Sequence, residues 1–169
     1  MTPNPTIHRP CAKGRARPVI WNVSCRMNVA EHLASAPGIW RPALPAPAAE
    51  IAALVGDAPL RLPKGYLELL AVTNGGEGDL GVKPGWLAIW PASEVMQNNA
   101  GYQVADNTPG LLGFGSNGGG ELLAFDARGS EPWPVAMVPF IPMQIDEAIQ
   151  IAPEFDKFLE AIGVPENDR

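Results

Sequence analysis

The sequence predicts an α+β fold, with an antiparallel β-sheet of roughly four to six strands and helices packed on it from both ends of the chain. Three observations lead there. Apolar residues recur at helical spacing around Tyr66 and again around Phe158. Between them lie short runs rich in strand formers, separated by turn residues. Finally, 19 prolines and 18 glycines in 169 residues favour many short elements over a long-helix bundle.

Residues 1–26 are basic and Pro-rich and carry no strand or helix period. They read as a disordered tail, or as sequence upstream of a true start at Met27. Residues 27–169 read as a single domain, long enough to bury a core. Within it, residues 31–36 form a short helix that Pro37-Gly38 ends. Trp40 then leads into a Pro-rich connector, residues 41–47. A helix from Ala48 to Val55 puts Ile51, Leu54 and Val55 on one face, with Gly56 positioned to cap it. The next helix opens at Pro63, where a first-turn proline is tolerated. Tyr66, Leu69, Leu70 and Thr73 share its face, and Asn74-Gly75 stops it.

The period then changes. Trp86–Trp90 is a strand with Trp86, Ala88 and Trp90 on one face and Leu87 and Ile89 on the other. Both faces are apolar, so cover is expected on both sides. Residues 91–97 read as a brief helix. Leu111–Gly115 and Glu121–Asp126 are two strands of a hairpin, turned at Ser116-Asn117-Gly118-Gly119. Further strands follow at residues 134–138 and near Phe140-Ile141. The last helix opens at Pro153, aligns Phe155, Phe158, Leu159 and Ile162, and ends at Gly163 and Pro165.

Composition narrows the function. Five of the twelve basic residues lie in the first 26, which hold no acid. The remaining seven therefore face all 18 acids, a net charge of −11 beyond residue 26. So acidic a body repels phosphates, which argues against nucleic-acid binding and for a basic protein partner steered by charge. No apolar run reaches the roughly 18 residues of a membrane span. No signal-peptide pattern opens the chain, and both cysteines, Cys11 and Cys25, lie in the basic segment. The expected location is the cytoplasm.

Catalytic and metal motifs are weak. Gly113-Phe114-Gly115-Ser116-Asn117-Gly118 spells G-x-G-x-x-G, but it precedes a strand, whereas a dinucleotide site needs a helix there. His8, Cys11, Cys25 and His32 are zinc-ligand types without paired clamps. Ser93, Ser116 and Ser130 sit in turn or cap contexts, where serine bonds to backbone, and no nucleophile elbow surrounds them. Glu77/Asp79, Asp126/Glu131 and Asp146/Glu147 are acid pairs that read as solvated loop residues. The Glu77/Asp79 pair, in a glycine-rich loop, lacks the further oxygen ligands of a calcium site. No catalytic, cofactor or metal residue is assigned.

The order of these pieces resembles the SUKH superfamily. Leu62-Pro63, Tyr66, Leu69-Leu70 and Asn74-Gly75-Gly76 are similar to its capped helix. Trp90–Val95 with Asn98, the glycine-rich residues 114–120 before Phe125-Asp126, Pro134-Val135, and residues 152–159 follow in the family's order. The likeness spans about Trp40 to Gly163. The Ala/Pro-rich connector before Ile51 departs from it, and the basic front has no counterpart. That superfamily includes fungal cell-wall-synthesis regulators of the Smi/Knr type and many bacterial immunity proteins. The resemblance implies helices on an antiparallel sheet and a non-catalytic protein that neutralises a toxin by direct binding. Two other readings stay open: a regulatory or scaffolding module on the same fold, and an enzyme with a carboxylate-based site. The candidate partner contacts are the loop acids Glu77, Asp79, Asp126 and Glu131 and the loop aromatic Trp133, the last equally able to fold back on the core.

Overall fold

Local signals set where each element begins and ends in the computed structural model, which describes residues 27–166. Helix α1 (Val29–Ala34) opens on Asn28, whose Oδ1 accepts from the amides of Ala30 and Glu31 at 3.1 and 3.3 Å. That cap satisfies two otherwise orphaned donors and starts the helix two residues before the expected position. Helix α2 (Ala48–Asp57) runs through Gly56 and ends at Ala58 instead. The following Pro59 disfavours helical backbone at Ala58, so proline, not glycine, sets this end. Helix α3 (Lys64–Val72) follows Pro63 and buries Tyr66, Leu69 and Leu70, with Thr73 buried at its cap, which is the expected face.

The sheet has seven strands, one beyond the upper end of the expected range. They are β1 (Trp40–Pro42), β2 (Gly76–Asp79), β3 (Trp86–Ile89), β4 (Leu111–Ser116), β5 (Glu121–Asp126), β6 (Val135–Pro139) and β7 (Ile149–Ala152). They lie side by side in sequence order, each antiparallel to the next. β1 lies where the connector was expected; as an edge strand it tolerates Pro42, which lacks a donor. β2 replaces the expected glycine-rich loop. A Cβ at Gly78 would stand 2.9 Å from the Trp40 Cα, and one at Gly76 would stand 2.8 Å from the Trp40 ring. Glycine is what lets this strand approach β1. No strand forms at Phe140-Ile141. The final strand is β7, and its Ile149-Gln150-Ile151 alternation carries the period-2 signal.

Three short helices complete the chain: α4 (Val95–Gly101), α5 (Val104–Asn107) and α6 (Phe155–Leu159). α4 begins after a turn at residues 92–94, later than expected, and α5 is only four residues long. Between them Gln103 adopts the left-handed region (φ 54°), the one described non-glycine residue to do so.

The sheet buries two apolar faces. On the first, Leu87, Ile89, Leu112, Phe114, Leu123, Phe125 and Val135 pack under side chains from α1, α2, α3 and α6. On the second, Leu111, Leu122, Ala124 and Val138 pack with Val104 of α5 and with Phe140, Met143, Ile145 and Ala148. The β3 strand is therefore covered unevenly. Leu87 and Ile89 are buried, whereas Trp86, Ala88 and Trp90 are half-buried, short of the two-sided cover expected.

Side-chain amides fasten the helices to the sheet. Asn99 of α4 donates to the Gly113 carbonyl and accepts from the Gly113 amide, both at 2.8 Å, at the irregularity in β4. Asn74 accepts from the Ala92 amide at 2.7 Å and donates to Glu50 of α2 at 3.2 Å. Gly75 (φ 89°) turns the backbone between them.

Tyr66 is wholly buried among Phe114, Phe125 and Phe155, and its hydroxyl has no hydrogen-bond partner among the described residues. Burial holds that hydroxyl's pKa well above the ordinary tyrosine range, so it stays neutral. Tyr66→Ala should cost about 3–5 kcal/mol by opening a cavity. Tyr66→Phe should be neutral or stabilising by about 1 kcal/mol, because it removes an unpaired buried polar group. Urea denaturation of both variants checks this; a loss on Tyr66→Phe would mean that the hydroxyl is bonded.

Candidate functional site

Four stretches distant in sequence meet at one cleft of about 520 Å³: the end of α2, the α2–α3 linker with the first turns of α3, the β5–β6 turn, and the start of α6. Its apolar wall includes Val55, Leu60, Leu67 and Trp133, and its charged rim includes Arg61, Lys64, Glu131, Glu154 and Asp156. Trp133 is half-buried against the first core, and its Nε1–H donates to the Arg61 carbonyl at 2.9 Å. That bond pins the β5–β6 turn to the α2–α3 linker and fixes the indole as a wall. The Arg61 guanidinium lies 3.8 Å from Glu131, and Lys64 lies 3.7 Å from Glu68. Both contacts are solvent-exposed and weak. A Cβ on Gly65 would strike the Asp156 carboxylate, so a glycine there lets the first turn of α6 close against α3.

A rigid aromatic wall with an acid-rich rim suits recognition of a side chain from another protein. The described residues lining the cleft include no serine, cysteine or histidine. Among the described residues, no group of three or more His, Cys, Asp or Glu is arranged to hold a metal ion.

The architecture defines a small α+β domain with an amphipathic cleft, built from a sequential meander under short helices. The chain belongs to the SMI1/KNR4 family (SUKH-1), whose model matches residues 45–161, well over half its length. No curated protein matches it closely enough to report.

The five residues singled out from sequence separate into two groups. Glu131 and Trp133 share the cleft. Glu77 and Asp79 lie on β2, not in a loop. Asp126 ends β5, three strand positions from β2, which is roughly 14 Å at the usual strand spacing. Most of these acids have local partners. Glu77 pairs with Arg41 of β1 at 2.7 Å, and that guanidinium also lies 5.8 Å over the Trp86 ring. Asp79 Oδ2 accepts from the Ile39 amide at 2.6 Å. The Asp79 carbonyl takes the Gly163 amide at 2.8 Å, while the Gly163 carbonyl takes the Gly38 amide at 2.8 Å. Asp79 thus ties β1 and the end of the α6 segment to β2.

The other motifs resolve as local structure. Gly113–Gly118 runs from a strand into a hairpin turn, where Asn117 Oδ1 accepts from the Gly119 and Glu121 amides. Ser116 Oγ accepts from the Gly118 amide at 3.1 Å, while Ser93 and Ser130 are exposed. His32 Nε2 lies 3.2 Å from the Ile162 carbonyl. The other zinc-type residues, His8, Cys11 and Cys25, lie outside the described residues. Sequence reasoning missed Arg61, Leu60, Glu154 and Asp156 as cleft residues. No periodicity links residues this far apart in the chain, although Trp133 between two prolines marks the spot.

Asp126 accepts from Arg128 Nε and Nη2 at 2.9 and 2.6 Å, and that guanidinium, ahead of the opposing effect of burial, holds its carboxyl below the usual aspartate range. A carboxyl depressed in the folded state adds stability above its unfolded pKa, and loses it as pH falls through the folded value. Asp126→Asn should therefore destabilise the protein at pH 7 by at most about 1 kcal/mol after solvent screening. The difference from wild type should shrink as pH falls below the ordinary aspartate pKa and vanish below the lowered folded value, as read from urea midpoints across pH.

Proposed function

We propose that this chain is a non-catalytic binding protein of the immunity type, cytoplasmic, which neutralises a toxin domain by direct contact. The observation that carries the reading is membership of the SMI1/KNR4 family (SUKH-1), whose members are typically immunity proteins. The charge distribution supports it. Arg41, Arg61, Lys64, Arg128 and Lys157 each face an acid across an ion pair, so the protein's own cations are largely neutralised. The surplus of acids is left to attract a basic partner. On this reading residues 27–169 act as one domain. Trp133 and Glu131 offer a contact in the cleft, while Glu77, Asp79 and Asp126 add to the acidic field.

Binding to the purified toxin-type domain encoded beside the gene tests the proposal. Nanomolar affinity is expected, with association slowing as salt rises. Trp133→Ala should weaken binding by about 10-fold, as loss of a moderate interface anchor does. No measurable complex with the neighbouring product would count against the immunity role.

A further inference from the structure

We propose that the second face of the sheet is a further docking surface, beyond the Trp133 cleft, for the same basic toxin-type protein. It rests on the protein-binding reading above and names a surface that reading leaves open. On this face the rings of Trp90 and Tyr102 stack, with centroids 6.0 Å apart and planes 18° apart. Tyr102 lies 4.6 Å from Phe140. Among the described residues no long helix covers these rings; α4, α5 and a 3₁₀ turn at Ile145–Glu147 border them. Tyr102 is 48% exposed and Ile141, next to Phe140, is 91% exposed.

The exposure is built into the backbone. The Tyr102 amide donates to the Asn98 carbonyl at 2.9 Å, and its carbonyl takes the Asn107 side chain at 3.4 Å. Gln103 then holds the left-handed backbone that a glycine would hold without strain, at the turn between α4 and α5 that carries Tyr102. On the other side, the Phe140 amide donates to the Gly120 carbonyl at 2.7 Å. With two side-chain torsions each, these aromatic residues lose little freedom when a partner buries them.

Charge selects the occupant. The segments that build this face, residues 89–127 and 134–152, contain Glu94, Asp106, Glu121, Asp126, Asp146 and Glu147 and no Lys or Arg. Arg128, just beyond the first segment, is held by Asp126. Glu94, Asp106 and Glu147 form no ion pair among the described residues, while Asp146 lies within the field of Arg128. An apolar centre with an acidic rim complements a basic surface carrying an apolar protrusion. A second copy of this chain would bring like charges together on both rims.

The test measures affinity and association rate of the full chain for the same purified toxin-type domain, using four variants. Tyr102→Ser with Ile141→Asp should weaken binding by about 100-fold. Losing the Tyr102 ring from Trp90 and Phe140 should lower the melting temperature by a few degrees. Ile141→Asp alone, at a 91% exposed position, should melt as wild type and still weaken binding. Asp106→Lys with Glu147→Lys should slow association by about 10-fold at low salt and little at high salt. Trp133→Ala reports on the cleft separately. If wild type binds but the face variants all bind within about two-fold of it, this surface is wrong and the immunity reading stands. If wild type does not bind, both fall. Self-association of wild type that the Tyr102/Ile141 variant abolishes would assign the face to a second copy and overturn the proposal.

Discussion

The ring of Tyr66 meets Phe114, Phe125 and Phe155 with centroids 5.2–5.7 Å apart, and through them it joins α3 to β4, β5 and α6. Phe158 extends the cluster from α6 onto Phe114 at 5.6 Å. Most of the helices here are short, from four to seven residues. Helices this short are not stable alone and depend on tertiary packing. The aromatic cluster supplies that packing on the first face of the sheet. The second face has smaller side chains, Ala124 and Ala136 among them, and relies on the Asn99 clamp onto Gly113.

This division shapes the surface. The first face is roofed by the longer helices α2 and α3, and the Trp133 cleft opens where the end of that roof meets the β5–β6 turn. The second face is bordered by irregular segments that leave aromatic rings partly open to water. The acidic character of the protein is spread around both, since five of its described cations are matched by neighbouring acids.

Elements with a strong local signal were legible in the sequence. The face of α3, the β4–β5 hairpin and the Phe155, Phe158 and Leu159 part of the α6 stripe follow from periodicity and turn residues. α6 ends at Leu159, not at Gly163 as expected, because Ile162 leaves the helix to bridge Leu80. The strands that escaped are those whose residue choice answers to a neighbour. Gly76 and Gly78 make β2 look like a loop, because glycine is required by the approach of Trp40, a contact across more than thirty residues. Pro42 likewise disguises β1, which needs few donors because it has a sheet neighbour on one side only. The candidate site was half legible. Trp133 and Glu131 were visible as a loop pair, but their companions Arg61, Glu154 and Asp156 reach them only through the packing of α3 against α6.

The knot of hydrogen bonds linking Gly38, Asp79 and Gly163 also joins two parts of the fold that are far apart in sequence. The Gly38 amide reaches the Gly163 carbonyl, so the approach to β1 and the exit from α6 lie side by side although 125 positions separate them. Edge strand β1 and the end of the α6 segment are therefore held by the same bonds. They should open together as one cooperative unit and not fray separately.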